Sequence, residues 1–158
     1  MFLFDLDGTL IDSSKRTVKA LASGQFCLKT YLAECNSPKQ INKDTLLPLA
    51  SYAQALAKKG DQFAILTARY LTEVDHAFLK RHGLVNELTI FLDRSTVSNE
   101  IRALNDADYK LYQLDRLESF YDGYAVPHYT LFDDMPDILQ ALGYRDNCTT
   151  VDAVALNK

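Results

Sequence analysis

The sequence is poor in cysteine, with three residues of this type among 158 and no C-x-x-C pair. They are Cys27, Cys35 and Cys148. An odd number without paired spacing argues against a disulfide framework and against a zinc site. Low cysteine use of this kind is typical of a reducing compartment, so we expect a cytoplasmic protein.

Long apolar segments are also missing. No stretch approaches the roughly 18 uninterrupted apolar residues that a membrane-spanning helix needs. The apolar run at residues 1–4 is broken at once by Asp5 and Asp7 and has no basic region before it, so a secretion signal is not expected. A G-x-x-x-x-G-K-[ST] loop is absent as well, which excludes a kinase activity of the P-loop type. We expect a soluble protein with no membrane partner.

What is present is a composition that suits one compact domain over residues 1–158. Hydrophobic residues make up 47% of the chain and aromatic residues 11%, enough for a core. The net charge is −4, but residues 13–43 hold six Lys and Arg residues against Glu34 alone, a local charge of +5. Such a segment can be a flap that follows a polyanionic backbone, with Phe26 or Tyr31 stacking on a base. It can equally be a solvated face that serves solubility, and the sequence leaves both readings open.

Apolar runs that end abruptly in polar residues predict a series of buried strands. These runs are 2–4, 63–66, 88–92 and 129–132, with a weaker fifth at 149–151. Helical spacing predicts helices at 46–60, 72–83, 110–117 and 136–142. Strands that alternate with helices predict an α/β fold of three layers with a mainly parallel five-stranded sheet.

Ligands of such sheets bind beyond the carboxyl ends of the strands. Asp5, Thr67, Arg94 and Asp133 all lie at or just past predicted strand ends. Four distant parts of the sequence are therefore expected to meet in one crevice.

The pair Asp5 and Asp7 is the sharpest chemical signal. In an extended backbone, positions i and i+2 point the same way, so both carboxylates face one crevice. Their repulsion is relieved by a shared proton or by a hard cation with oxygen ligands. Asp133 and Asp134 form a second acidic pair, with Asp137 about one helical turn on. A magnesium ion would make this acidic cluster tolerable.

Taken together, these motifs resemble the haloacid dehalogenase superfamily. Asp5-Leu6-Asp7-Gly8-Thr9 resembles its first motif, and Leu66-Thr67-Ala68-Arg69 resembles the second. Lys110 resembles the lysine of the third motif, and Phe132-Asp133-Asp134-Met135-Pro136-Asp137 the acidic fourth. The resemblance runs from Met1 to about Leu142 and implies the Rossmann-like fold of that superfamily.

The resemblance also implies roles for individual residues. Asp5 is expected to attack phosphorus, giving an aspartyl-phosphate, and Asp7 to act as general acid and base. Thr67 and Lys110 are expected to bind the phosphoryl oxygens. The residues expected to surround the phosphate are Gly8, Thr9, Ala68, Arg69 and Arg94, although the two arginines can instead be ion-pair partners.

Magnesium would be held by Asp5, by the backbone carbonyl of Asp7 and by a carboxylate of the fourth motif. The spacing of Asp133 and Asp137 is usual in the superfamily. This spacing favours Asp133 as the direct ligand, with Asp137 supporting it, and leaves Asp134 open.

Within the superfamily, the second aspartate of the first motif implies a phosphatase and argues against a dehalogenase. Fewer than forty residues separate Asp7 from the helix predicted near residue 45, too few for a separate lid domain. We therefore expect a minimal cap, with residues 13–43 as a small basic flap.

A more distant similarity is to the 3′-phosphatase domain of bacteriophage polynucleotide kinases. It depends on the short segment after the first motif, on Arg69 and Arg94, and on Asp108-Tyr109-Lys110. Thr67-Ala68-Arg69 departs from the Ser-Gly-Arg expected in that group.

The sequence therefore predicts a magnesium-dependent phosphomonoesterase that acts through an aspartyl-phosphate. Its expected substrates are the 3′-phosphate of a DNA or RNA end, or a nucleotide. One alternative is a small-metabolite or sugar phosphatase. Another, of a different class, is a binding or regulatory protein that keeps the fold without turnover.

Overall fold

The computed structural model describes residues 1–121 and 123–158. Its strands are β1 (Phe2–Phe4), β2 (Ile11–Asp12), β3 (Thr45–Leu46), β4 (Phe63–Leu66), β5 (Ile90–Leu92), β6 (Tyr129–Asp133) and β7 (Cys148–Asp152). Its α-helices are α1 (Ser14–Thr17), α2 (Leu28–Thr30), α3 (Pro38–Ile41), α4 (Ala50–Lys59), α5 (Glu73–Arg81), α6 (Asn99–Arg102), α7 (Asp106–Ser119), α8 (Pro136–Gly143) and α9 (Ala153–Leu156). A π-helical turn spans Tyr31–Cys35 and a 3-10 turn spans Arg94–Thr96.

The main sheet has five strands in the order β5-β4-β1-β6-β7, and every pair is parallel. The middle strand β1 pairs on both sides, with Phe4 opposite Ile65 on β4 and Phe132 on β6. Parallel strands need crossover connections, and helices supply them here. The predicted α/β fold with a mainly parallel five-stranded sheet is confirmed.

Helices cover both faces of this sheet. On one face, Phe4 and Ile65 join the core that contains Ala53 of α4 and Phe78 of α5. On the other face, the neighbouring residues of the same strands, such as Leu3, pack in a second core with Leu114 of α7 and Leu142 of α8. The two cores follow from the alternation of side chains along each strand.

The helix predicted from residue 46 begins later, at Ala50. Thr45 and Leu46 instead form β3, which pairs antiparallel with β2. The residue before a proline is disfavoured in the α conformation. Leu47 precedes Pro48, and its backbone N–H donates to the carbonyl of Leu10, 3.0 Å away. The chain therefore enters the helix only after Pro48.

Two further boundaries differ from the prediction. The strand predicted from residue 88 begins at Ile90, because the Asn86 side chain accepts the backbone N–H of Leu88 at 2.8 Å and holds a turn there. The helix of Lys110 begins four residues earlier, at Asp106, where the Asn105 side chain caps it by accepting from the backbone N–H of Asp108. Lys110 therefore lies inside the helix and does not start it.

The chain between β2 and β3 contains α1, α2, the π-helical turn and α3. We call residues 13–43 of this connection the cap segment. Cys27 in this segment is a free exposed thiol and Cys148 a free buried one, while the side chain of Cys35 lies outside the described part of the structure. Among the helices of the described residues, none is both long and apolar enough to cross a lipid bilayer.

Candidate active site

The carboxyl ends of the parallel strands open into a cavity of about 740 Å³. Asp5 follows β1 directly, Thr67 follows β4, and Asp134 follows β6. All three line this cavity, together with Arg94 and Lys110. The distant sequence motifs thus meet at one edge of the sheet, as the predicted strand ends require.

Lys110 lies between two carboxylates at the floor of the cavity. Its Nζ donates to Asp5 Oδ1 and to Asp133 Oδ2, both at 2.6 Å. The three residues are almost completely buried, and they come from α7, from the end of β1 and from the end of β6. A buried cation between two anions is a stable arrangement only while all three charges are present.

The electrostatics of this triad follow from burial and from charge. Desolvation raises the pKa of Asp5 well above its ordinary value, and the Lys110 ammonium opposes that rise. For Lys110, burial favours loss of the proton, but the two neighbouring carboxylates outweigh it and raise the pKa to about 12. Lys110 therefore keeps its positive charge.

Asp5, Asp133 and Asp134 together form an acidic cluster, with one carboxylate oxygen of each within 4.8 Å of the others. Oxygen ligands of this kind fit a hard divalent cation. The two oxygens of Asp133 are already engaged, since Oδ2 accepts from Lys110 and Oδ1 accepts from the backbone N–H of Met135 at 3.0 Å. In the part of the chain that the structure describes, no hydrogen-bond donor is found on the Asp134 carboxylate. Burial and the charge of Asp133 raise the pKa of Asp134.

Gly8 lies where the chain turns under Asp134. Its φ of 76° is in the left-handed region, where a side chain is strained. A Cβ at this position would be 2.3 Å from Asp134 Oδ2. Glycine is therefore the residue that lets the loop of the first motif approach the fourth-motif carboxylate.

Asp7 lies at the wall of the cavity with a side chain that is 37% exposed. Its Oδ1 is 3.3 Å from Nη2 of Arg69. Desolvation by the surrounding protein raises the pKa of Asp7, although Ser13 and Arg16 lower it. A raised pKa suits a carboxyl group that donates a proton near neutral pH.

The hydroxyl residues of the two motifs are buried beside the triad. Thr67 Oγ1 accepts the backbone N–H of Arg69 at 3.2 Å. Among the described residues no acceptor is found for the Thr67 hydroxyl proton, and Thr67 lines the cavity. Thr9 is fully buried, and its Oγ1 has no hydrogen-bond partner among the described atoms. Gly8 and Ala68 line the cavity near them.

The two predicted phosphate-binding arginines line the cavity but already have partners. Arg94 forms an ion pair with Asp106 at 2.6 Å and stacks on the Tyr109 ring, with its guanidinium 4.6 Å from the ring centroid. Arg69 pairs with Asp44 and Asp75. Phosphate contact by either side chain stays a prediction.

Asp137 lies in the first turn of α8 with an exposed side chain. Within the described part of the chain, no hydrogen bond or ion pair joins it to Asp133 or to Lys110. The structure therefore does not connect the predicted supporting carboxylate with the site.

Some residues near the site belong to no sequence motif, and the sequence did not predict their contacts. Arg16, counted above among the basic residues of an exposed segment, is 2% exposed. It lies in a buried group with Tyr31, Asp44 and Asp75 around Arg69. The sequence left two readings of the basic segment, a flap that contacts a polyanion and a solvated face that serves solubility. Both are wrong for Arg16, because its side chain is buried among carboxylates.

Asn157, near the C-terminus, is a second residue of this kind. Its Nδ2 donates to the carbonyls of Gly8 and Thr9, at 3.3 and 2.9 Å, and its Oδ1 accepts the backbone N–H of Leu49 at 2.9 Å. A single asparagine that follows the short helix α9 gives no local signal for this role, since its partners lie more than a hundred residues away.

Comparisons with known proteins identify the family of the chain and its fold. The family model described as bacteriophage T5 5′-deoxynucleotidase matches residues 1–158. A haloacid dehalogenase-like hydrolase from Streptococcus pneumoniae has a similar structure, with a TM-score of 0.58 and 14% identity over 98% of this chain and 95% of that one. For a superfamily hydrolase from Ehrlichia chaffeensis the TM-score is 0.56, with 12% identity over 96% of this chain and 85% of that one. At such identities the likeness concerns the fold alone. No curated protein sequence matches the chain significantly.

Proposed function

Because the chain belongs to the bacteriophage T5 5′-deoxynucleotidase family, we propose that it removes the 5′-phosphate from a deoxynucleoside monophosphate. The chain is a hydrolase with the haloacid dehalogenase fold, so the predicted superfamily and enzyme class are confirmed. We also propose the 5′-phosphate ester as the substrate, Mg²⁺ as the metal and an aspartyl-phosphate as the covalent intermediate.

The observation that carries the proposal is the buried Asp5–Lys110–Asp133 triad, open to a cavity beside Asp7. The Asp5 carboxylate would attack phosphorus while the bond from phosphorus to the ester oxygen breaks. The Asp7 carboxyl would give its proton to that leaving oxygen. Asp7, now ionised, would take a proton from the water that attacks the aspartyl-phosphate, which releases inorganic phosphate and restores Asp5.

Lys110 and Thr67 would act on the phosphoryl oxygens throughout. Lys110 keeps a positive charge where negative charge gathers in the transition state, and Thr67 supplies a hydroxyl donor. Both are fixed by the fold before substrate arrives, since each is about 1% exposed. Preorganised donors need no rearrangement during the reaction.

The acidic cluster fits Mg²⁺, and we assign Asp5, Asp134 and the backbone carbonyl of Asp7 as its ligands. This differs from the choice of Asp133 made on sequence spacing. Both Asp133 oxygens accept hydrogen bonds, from Lys110 and from the Met135 backbone, whereas among the described residues no donor is found on the Asp134 carboxylate. This difference favours Asp134. When bound, the ion would offset the repulsion between the carboxylates and the phosphate.

A single nucleotide is favoured over a nucleic acid end by two observations. The family description names a deoxynucleotidase. The cavity of about 740 Å³ is in the range of small-ligand sites, and the cap segment supplies Phe26, Leu28 and Tyr31 to its wall. We further propose that residues 1–158 form a single domain and that the protein is cytoplasmic.

Phosphate release from a substrate panel tests the proposed function. The panel contains deoxynucleoside 5′- and 3′-monophosphates, a 3′-phosphorylated oligonucleotide and sugar phosphates, each with MgCl₂ and with EDTA. We expect the 5′-monophosphates to react fastest, in a magnesium-dependent manner. The Asp5→Asn variant should lose at least about 10³-fold in kcat, while Asp61→Asn on the surface keeps the wild-type rate.

Two outcomes would contradict the proposal at different levels. Fastest release from the oligonucleotide or from sugar phosphates would overturn the substrate assignment and leave the phosphatase standing. Absence of release from every ester with any divalent metal would favour a binding protein with this fold.

A further inference from the structure

Five buried polar side chains form a cluster at the junction of the cap segment with the rest of the molecule. Arg16, Tyr31 and Asp44 come from the cap segment and the residue that follows it, whereas Arg69 follows β4 and Asp75 lies in α5. Each of the five is at most 7% exposed. We call these five residues the junction cluster.

The two arginines of the junction cluster share the same partners. Arg69 binds Asp44 Oδ2 through Nη2 at 3.0 Å, Asp75 Oδ1 through Nη1 at 3.2 Å and the Tyr31 hydroxyl through Nε at 3.3 Å. Arg16 donates to the same hydroxyl at 3.1 Å and lies 3.5 Å from the same Asp44 oxygen and 3.8 Å from the same Asp75 oxygen. Cap and core are thus joined through two carboxylates and one phenol.

The junction cluster reaches the general acid through a single nitrogen. Arg69 Nη2 lies 3.0 Å from Asp44 Oδ2 and 3.3 Å from Asp7 Oδ1. The Asp44 carboxylate therefore competes with Asp7 for this nitrogen and fixes where the Arg69 guanidinium lies. Asp7 Oδ1 accepts no hydrogen bond among the described residues, so its contact with the Arg69 guanidinium is an attraction of opposite charges at short range.

Burying so many charges is not an efficient way to stabilise a fold. The desolvation of ion pairs often equals or exceeds their attraction, and apolar residues of the same volume frequently stabilise more. A buried network of ion pairs and hydrogen bonds supplies one defined geometry. In the junction cluster the hydrogen bonds go to the Tyr31 hydroxyl and to Asp44 Oδ2. Among the described residues, Arg16 Nε, Asp44 Oδ1 and Asp75 Oδ1 have no hydrogen-bond partner. Here that geometry fixes the position of the cap segment on the core and the surroundings of the Asp7 side chain.

We propose that Asp44 and Arg69 are positioning residues, which seat the cap segment on the core and hold the Asp7 carboxyl group in line with the leaving oxygen. The inference rests on the proposed function, because it requires Asp7 to be the proton donor. It gives Arg69 a role through Asp7, in place of direct contact with the phosphate.

The test compares two substrates that differ in their need for a proton. The 5′ oxygen of a deoxynucleotide is a poor leaving group and needs the proton of Asp7 as its bond to phosphorus breaks. The p-nitrophenolate ion is a good leaving group and needs no proton. The constant kcat/KM reports steps up to phosphoryl transfer to Asp5 and is insensitive to later hydrolysis. In Asp44→Asn, we expect kcat/KM to fall about tenfold or more for the deoxynucleotide and less than about threefold for p-nitrophenyl phosphate.

Tyr31→Phe serves as a second variant, because it removes the hydroxyl shared by both arginines and keeps the ring. We expect kcat/KM for the deoxynucleotide to fall more than kcat/KM for p-nitrophenyl phosphate, by a smaller factor than in Asp44→Asn. This variant tests the positioning role even if Asp44→Asn does not fold. Glu34→Gln is the matched control, since it neutralises a cap carboxylate that is 53% exposed, and both rates should stay at the wild-type level.

The possible results separate the two proposals. If the wild type is active and the variants lose both substrates by the same factor, or lose neither, the positioning role is wrong and the proposed function stands. If the wild type releases phosphate from neither substrate, the proposed function fails and the positioning role fails with it.

Discussion

Lys110 hydrogen-bonds two buried carboxylates that would otherwise face each other without compensation. Removing one partner of a buried ionic group costs about 3 to 5 kcal/mol, because it leaves an uncompensated charge. We expect Lys110→Met to lower the free energy of unfolding by about 3 kcal/mol in EDTA, measured by urea denaturation. Magnesium should reduce this loss, because it would bind at the same carboxylates.

Lys59→Met is the control for this substitution. Lys59 also pairs with an aspartate, Asp61, but its side chain is 76% exposed, and surface pairs contribute little. Its unfolding free energy should stay within about 0.5 kcal/mol of the wild type. Equal stabilities of the Lys110 and Lys59 variants would show that the triad carries no buried charge.

Gly8 combines a positive φ with a close approach to Asp134. In Gly8→Ala, the new Cβ must displace the Asp134 carboxylate, so we expect magnesium affinity to fall at least about tenfold, measured by calorimetric titration. Gly60→Ala is the matched control, since Gly60 has a φ of 80° but open space where its Cβ would lie. Both variants carry the backbone strain, of roughly 1 kcal/mol, and only the Gly8 variant should lose metal. Equal losses of affinity in the two variants would rule out the clash as the cause.

At the scale of elements, the short helix α9 supports the loop of the first motif through Asn157. In Asn157→Ala, the carbonyls of Gly8 and Thr9 lose their donor, and we expect about 1 to 2 kcal/mol lower stability. We also expect a lower kcat/KM for the 5′-monophosphate. Leu156→Ala, at the last residue of α9 and at a side chain that is 46% exposed, should change neither. Thermal unfolding and phosphate release measure both effects, and unchanged values in Asn157→Ala would contradict this role.

Element boundaries show which local signals were sufficient. The helix predicted from residue 72 has its N-cap at Thr72, whose hydroxyl accepts from the Asp75 N–H while the Asp75 carboxylate accepts from the backbone of Thr72. The start of α4 was predicted wrongly because the apolar spacing around Leu46 fits a helix and also fits a β-bridge. Pairing of Leu46 with Ile11 decided between them.

For the whole molecule, buried carboxylates give stability a defined dependence on pH. Burial raises the pKa of Asp44 from 3.8 to about 7, although Arg16 opposes the rise. Because the folded state holds this proton more tightly than the unfolded state, the stability that Asp44 contributes is full below about pH 4. It is lost as the pH rises through about 7.

We therefore expect the wild type to lose unfolding free energy between about pH 5 and pH 8 in EDTA. Asp44→Asn, which cannot titrate at this position, should lose less over the same range. Glu34→Gln should follow the wild-type curve. Urea denaturation at several pH values measures the three curves, and parallel curves for Asp44→Asn and the wild type would contradict the shifted pKa.

The sequence by itself determined the strand–helix alternation, the parallel sheet and the meeting of Asp5, Thr67 and Asp133 at strand ends. These depend on short periods and on the regular geometry of βαβ units, which neighbouring residues encode. Only the tertiary structure decided the partners of Arg69, the support of Gly8 by Asn157, and the hydrogen bonds that the two Asp133 oxygens accept. The reason is physical: the contacts of Lys110 with Asp133, of Arg69 with Asp44 and of Asn157 with Gly8 join residues 23, 25 and 149 positions apart. Such hydrogen bonds are known only once the distant neighbours are in place.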